Sequence, residues 1–254
     1  MNFQRLLRGL ELLGTPGALR AMLTWPQFSL AAYRIVTRLR QLGAVPRTVI
    51  DVGANIGQFA VACSRIFPEA SIFPIEPDPR AAARLKQNLD ERTRAHLKIT
   101  AVGDRVGQAS FNVNRDSQVS SLLPLGQDRI LSFPNARVLE TITVPMNTLD
   151  ALFANADLES PVLLKIDVQG FEDRVIAGAA RTLEGVRWIV MEIAFGALYE
   201  GERDFESIAA LVRSAGFSFV RPLDFHVSPR TGQIIEMDAL FERASAKYAS
   251  VGAG

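Results

Sequence analysis

The sequence predicts an α/β fold, a mostly parallel, Rossmann-like doubly wound sheet, on three observations. From Thr48 onward, short apolar runs alternate with longer amphipathic stretches, the pattern of βαβ units. Three runs, Thr48 to Val52, Val162 to Asp167 and Trp188 to Ile193, are nearly continuous in apolar residues, as strands covered on both faces are. Four strands end on or near a carboxylate: Asp51, Glu76, Asp167 and Glu192.

The first 45 residues read as helices punctuated by Gly14, Pro16, Gly17 and Pro26. They form a helical appendage (residues 1–45) ahead of a single domain (residues 46–245). Leu6, Leu7, Leu10, Leu12 and Leu13, interrupted by Arg5, Arg8 and Glu11, make an amphipathic helix. Packing on the domain is the expected use of that helix, and contact with a membrane surface is the alternative. Strand one is Thr48 to Val52, followed by a helix from about Gly57 to Phe67. Strand two is Ser71 to Glu76, and Pro79 opens a helix that runs to about Glu91. Strand three is His96 to Val102. A long stretch follows, with β-like pieces at Ala109 to Val113 and Thr141 to Pro145. Its part from about Asn114 to Asn147 is expected to be a loop that covers the substrate as a lid. Strand four ends at Asp167, with a helix starting near Glu172. Strand five ends at Ile193, and a helix spans about Asp204 to Ser214. Strand six is Ser218 to Val220 and strand seven about Gln233 to Ala239. The turn-rich Ser228 to Thr231 with Gly232 makes the last two a hairpin, so that one of seven strands is antiparallel.

The formal charge of +1 is nearly neutral, with 24 Arg and 4 Lys and no basic block, so nucleic acid is not the expected partner. No apolar run reaches the roughly 18 residues that span a bilayer, and no small-residue cleavage site follows a clean apolar core. Neither an integral membrane segment nor a signal peptide is expected. The single cysteine, Cys63, has no internal disulfide partner, which points to a reducing compartment and a cytoplasmic location. Its neighbours read as one helix face, so Cys63 is a packing residue.

Ligands of open α/β sheets bind outside the carboxyl ends of the strands. Several acids along that edge suit a ligand with hydroxyls and positive charge, because an unpaired buried charge is costly. The strongest motif is Val49-Ile50-Asp51-Val52-Gly53-Ala54-Asn55-Ile56-Gly57. Gly53 and Gly57 allow a tight turn and a close ligand approach, and the helix beginning near Gly57 aims free N–H groups at the ligand. A dinucleotide-binding loop has a second glycine where Asn55 stands, which weighs against a pyrophosphate. Glu76 suits a ribose diol, since a carboxylate accepts two hydrogen bonds, and Pro77 fixes the chain direction beside it. Lys165 and Asp167 share a strand face, and Lys165 is expected to pair with Asp167 or Glu192. His96 falls at the amino end of strand three, away from the site. His226 falls in the connection after strand six, on the site's side.

Taken in order, these pieces resemble the FkbM-family methyltransferases. The resemblance covers roughly Thr48 to Phe241 and rests on VIDVGANIGQF (49–59), IEPDP (75–79), AVGD (101–104), SSL (120–122), TLD (148–150), LLKIDVQGFED (163–173) and GQIIEMDALF (232–241). Many members carry Glu where this chain has Gln169, so no role of that acid is carried over. The resemblance implies the class I methyltransferase version of the Rossmann-like fold, and methyl transfer from S-adenosyl-L-methionine to a hydroxyl of a sugar, polyketide or other small metabolite, or a glycan. It implies that Asp51, Gly53, Ala54, Asn55 and Gly57 face the methionine part and Glu76 the ribose, and that Val102, Gly103 and Asp104 lie beside adenine.

An aliphatic hydroxyl is a weak nucleophile and calls for a general base. The candidates are Asp167, His226 and Glu192, with Asp167 ranked first for its position although Lys165 lowers its basicity. Asp167 is also placed near the methionine end. No metal is required, although the clustered acids offer a place for Mg²⁺. A nucleic-acid methyltransferase is the enzymatic rival, but the Asn/Asp-Pro-Pro-aromatic loop is absent, since Val168-Gln169-Gly170 follows Asp167. A noncatalytic regulator that retains the cofactor pocket is the rival from another class.

Overall fold

The computed structural model describes residues 12–89, 93–132, 136–196, 198–228 and 232–244. In chain order the elements are α1 (Ala18–Thr24), α2 (Leu30–Gln41), β1 (Thr48–Val52), α3 (Gln58–Ile66), β2 (Ser71–Ile75), α4 (Pro79–Asn88), β3 (Ala101–Val102) and β4 (Gly107–Asn114). They continue with α5 (Gln127–Ser132), β5 (Val138–Asn147), α6 (Leu149–Leu152), β6 (Val162–Ile166), α7 (Glu172–Ala177), α8 (Ala180–Gly185), β7 (Val186–Ala194), α9 (Phe205–Ser214), β8 (Phe217–Val227) and β9 (Ile234–Arg243). Local chemistry sets several starts. The Ser29 Oγ accepts from the Ala32 N–H at α2 and the Asp204 carboxylate accepts from the Ser207 N–H at α9, while Asp78 caps α4 with Pro79 in its first turn.

The main sheet runs β2-β1-β6-β7-β9-β8. β2, β1, β6 and β7 pair parallel, and β9 pairs antiparallel with both β7 and β8, so five strands share a direction and β9 opposes them. β1 and β6 are buried at every residue, as their unbroken apolar runs require. One face is covered by α6 to α9, whose Leu149, Val175, Leu183, Ile208 and Val212 pack on Ile50, Leu164 and Ile189. The other is covered by α2 and α3, where Ile35, Val36, Leu39, Phe59 and Cys63 pack on Val49, Leu163 and Val190. Thus α2 shares a core with the sheet. Cys63 is buried, and burial raises its thiol well above the ordinary range. No described helix is long and apolar enough to cross a membrane.

The structure corrects the expected elements in four places. The main sheet has six strands rather than seven. Residues 95–98 touch β2 only through two isolated parallel bridges, Ile72 to Ala95 and Ile75 to Lys98, and Ala101–Val102 turns away into a second sheet ordered β3-β5-β4. The expected lid is not a loop. β4 and β5 pair antiparallel over most of their length, and the described residues between them include a 3₁₀ turn at Ser117–Val119 and helix α5. Strand six is eleven residues long, so His226 stands on β8 and not in a connection. The α4 helix closes at Asn88; the rest of its expected span reaches residues outside those described, as does most of the expected amphipathic helix before Leu12.

The turn after β1 is the tightest point of the fold. Gly53 has φ +79°, and a Cβ there would lie 1.8 Å from the Asp167 carbonyl oxygen. Gly43 also has a positive φ, but open space surrounds it. Gly53→Ala therefore combines backbone strain with a clash and should destabilise by about 3 kcal/mol or more. Gly43→Ala carries only the left-handed penalty, about 1–2 kcal/mol. Thermal unfolding of the two variants side by side checks the difference.

Candidate active site

The carboxyl edge of the sheet gathers the predicted residues in three groups. The first is the loop after β1. Gly53 and Ala54 donate their N–H groups to the Ile75 carbonyl at 3.0 and 3.1 Å, and Asn55 adopts φ +48°. The loop is thereby tied to β2 and turned back over the strand ends. Gly57, at φ +94°, starts α3 with no side-chain acceptor on its first N–H groups, and a Cβ there would press on Leu85.

Glu76 is buried at the end of β2. Its Oε2 accepts from the Asn55 N–H at 2.8 Å and its Oε1 from the Asp78 N–H at 2.9 Å, which leaves each oxygen a further lone pair. Burial pushes its pKa up to about 7 despite these bonds. Pro77 lies half-buried between the two anchors. The buried Asn55 amide oxygen accepts no hydrogen bond among the described residues, whereas the buried Asp51 carboxylate is met by Lys165 at 3.5 Å. An orphaned acceptor such as Asn55 is what a ligand bearing N–H or O–H donors would satisfy. Val102 and Gly103 are buried, while Asp104 is half-buried and paired with Arg105 and Arg174 at 3.1 and 3.2 Å.

The second group is a buried charge cluster. Asp51 and Lys165 are register partners on adjacent parallel strands, so their side chains meet on one face. Lys165 Nζ lies 3.5 Å from Asp51 and 3.0 Å from Asp167. Its second partner is thus Asp51 and not Glu192, because register across the sheet brings Asp51 nearer. Burial alone would discharge the lysine, but the two carboxylates hold its pKa above the ordinary value. Burial opposes ionisation of Asp167 too, yet Lys165 and hydrogen bonds from Gln169 and Lys165 hold its pKa below the usual range.

The third group surrounds Gln169. Its Nε2 donates to Asp167 Oδ1 at 2.8 Å and to Glu192, bridging two acids. Its Oε1 accepts from Arg129 at 2.6 Å and from the Tyr199 hydroxyl at 2.7 Å. Arg129 comes from α5, in the segment expected as a lid, and reaches Glu236 Oε1 at 2.9 Å. His226 stands opposite Glu236 in the β8–β9 register, with Nδ1 3.4 Å from Glu236 and 3.9 Å from Glu192, and its side chain is 49% exposed. Glu236 and, to a lesser degree, Asp238 and Asp224 hold the imidazolium, so the His226 pKa is raised. Burial and the neighbouring acids raise Glu192 well above the carboxylate range. Glu192, His226 and Glu236 offer ligand atoms within 4.8 Å of one another, a spacing that would also hold a divalent cation.

Sequence reasoning missed Arg129, Tyr199 and Asp238, and gave Glu236 no role. Glu236 and Asp238 alternate within an apolar strand, the same signal that marked Lys165 and Asp167. Arg129 and Tyr199 carry no comparable local signal. His96, expected to lie away from the site, stacks on Phe73 with ring centroids 4.9 Å apart.

Comparison with known proteins gives the family. Residues 51–219 match the family described as the methyltransferase FkbM domain, and the chain belongs to that family. It is therefore a methyltransferase. It is 32% identical over 195 residues to the 2-O-methyltransferase NoeI of Sinorhizobium fredii, covering 74% of this chain and 79% of that one. It is 29% identical over 146 residues to the hexuronic acid methyltransferase AglP of Haloferax volcanii, covering 58% and 55%. To the 31-O-demethyl-FK506 methyltransferase FkbM of Streptomyces tacrolimicus it is 25% identical over 197 residues, covering 69% and 74%.

The buried acids make stability depend on pH. Burial, against hydrogen bonds from the Val168 and Gly170 N–H groups, pushes Glu172 up to about 8, and burial also lifts Glu76 and Asp238 to about 7. A carboxyl whose folded pKa exceeds its unfolded value, about 4, binds more protons when folded, so folding weakens as pH rises between the two values. The raised His226 acts in the same sense as pH rises through its folded pKa. The melting temperature should fall from pH 5.5 to pH 8.5, and Glu172→Gln should flatten that slope. A melting temperature that rises over this interval contradicts the charge arrangement.

Proposed function

We propose that the protein is an S-adenosyl-L-methionine-dependent O-methyltransferase acting on a hydroxyl of a small polyhydroxylated acceptor, a sugar or glycan first and a polyketide-like metabolite second. The observation that carries the reading is Glu76, whose two oxygens are each half-used by a backbone N–H beside the orphaned amide oxygen of Asn55 and the buried Asp51 carboxylate. This donor-hungry set fits a ribose diol and an ammonium. Glu76 would take the 2′- and 3′-hydroxyls, and Asp51 with Asn55 the methionine end over the glycine loop. Val102, Gly103 and Asp104 would line the adenine side. The preference for sugar-like acceptors draws on the relatives, one named for hexuronic acid and one for 2-O transfer.

S-adenosyl-L-methionine supplies a methyl group already activated by a sulfonium. The chain has to align the acceptor, exclude water and accept one proton. His226 fits the last task better than Asp167. Asp167 is held in its anionic form by Lys165 and Gln169, both of which spend its lone pairs. His226 presents a half-exposed ring whose Nδ1 faces Glu236, so Nε2 is left to take the hydroxyl proton. Glu236 would stabilise the resulting imidazolium, and Arg129 would hold Glu236 in place. Glu192, raised by burial, would serve as a neutral hydrogen-bond donor to the acceptor.

Calorimetry should show binding of S-adenosyl-L-methionine and its demethylated product, weakened by about 1.5–3 kcal/mol in Glu76→Ala. Binding of NADH without either would overturn the assignment. Turnover needs neutral imidazole, so the raised His226 pKa sets the acidic limb of the rate profile at a higher pH than an ordinary imidazole would. His226→Ala should lower kcat by about 10²–10⁴-fold and abolish that limb. Glu236→Gln should shift the limb to lower pH. Undiminished turnover in His226→Ala would exclude it as the base.

A further inference from the structure

Beside the catalytic groups stands an amide whose hydrogen-bonding capacity is filled. Gln169 is buried, and its side chain meets four residues from four parts of the chain. Its two amide hydrogens go to Asp167 Oδ1 at 2.8 Å and to Glu192 Oε2. Its Oε1 accepts one hydrogen from Arg129 Nη2 at 2.6 Å and one from the Tyr199 hydroxyl at 2.7 Å. A primary amide has two donors and two lone pairs, so nothing is left over for a ligand. Reversing the amide would set its oxygen against two carboxyl groups and its NH₂ against a guanidinium, so the partners fix its orientation.

The backbone is held as firmly. Gln169 has φ +59°, in the left-handed region that a residue with a Cβ adopts only at a cost. The Ser121 hydroxyl donates to its carbonyl at 2.6 Å, and Gly170 follows at φ +94°. Backbone strain over-determined by its surroundings gathers at functional sites. The side chain placed at this cost takes Glu192 by Oε2. The other oxygen, Glu192 Oε1, is the one that lies 3.9 Å from His226 Nδ1. Gln169 and Glu192 both line the cleft that opens beside Tyr199 and Glu236.

We infer that Gln169 is a positioning residue that acts through Glu192, pinning one carboxyl oxygen so that the other faces the acceptor hydroxyl beside His226. The inference rests on the methyl-transfer reading above. The test uses the full chain, methyl-labelled S-adenosyl-L-methionine, and D-glucose and D-glucuronic acid as probe acceptors. Gln169→Met keeps the length and removes all four hydrogen bonds. Gln169→Glu still accepts from Arg129 and Tyr199 but donates to neither acid. Each should lower kcat about 10²-fold, the scale of a group misplaced by about 1 Å. The calorimetric Kd of the demethylated cofactor should stay within about threefold, because Glu76 is anchored by Asn55 and Asp78 and not through Gln169. In a Glu192→Ala background the link has lost its far end, so adding Gln169→Met should cost less than about threefold more. Undiminished kcat in Gln169→Met, an equal loss with and without Glu192, a loss of cofactor-product affinity in step with kcat, or failure of Gln169→Met to fold would each overturn the inference. A wild-type chain that methylates neither sugar overturns the catalytic reading and the inference with it, and does so before any variant is made, so the two failures are told apart.

Discussion

Carboxylates buried side by side repel one another and lose their hydration, and a sheet edge that carries Asp51, Asp167, Glu192, Glu236 and Asp238 must answer both costs. Lys165 answers for two of them. It lies in a fully buried strand between Asp51 and Asp167 and is reached from both sides because parallel register puts Asp51 opposite it. Arg129 answers for Glu236 at the other end. What the two cations leave unbalanced raises the pKa of Glu192 and Asp238, which burial and the neighbouring acids push up. The edge is therefore acidic yet structured.

Gln169 joins the two halves of this arrangement. A neutral amide can donate to Asp167 and Glu192 while accepting from Arg129 and Tyr199, and no ionised side chain of the same length can do all four. The second sheet then acquires a purpose. The β4–β5 hairpin and α5 carry Arg129 inward, and Leu125 bridges to Tyr199, so an insertion outside the main sheet supplies the cation that orders its far corner.

Much of the scaffold was legible in the sequence, and for physical reasons. β1 and β6 lie in the expected places because doubly covered strands must be apolar throughout, and β1 matches its expected bounds residue for residue. The acids at the strand ends stood out because a charge in such a run needs a reason. The third strand misled because alternation alone cannot say which sheet a strand joins, and residues 95–102 divide between two. The segment 114–147 looked like a loop because β5 is exposed along most of its length and shows little apolar patterning. Arg129 and Tyr199 were invisible for a different reason: their meaning lies in partners 40 and 30 positions away at Gln169.

The antiparallel β9 has a consequence for the order of assembly. It inserts between β7 and β8, which precede it in the chain, and it carries Glu236 and Asp238. During synthesis β8 would emerge with no strand on its inner side and His226 without Glu236 opposite it. The loop after β1 and its Glu76 anchors are in the chain by residue 78, long before that point. A nascent chain would thus hold the loop proposed to cradle the cofactor early, and the carboxylate proposed to support His226 only when the last described strand slides into the gap.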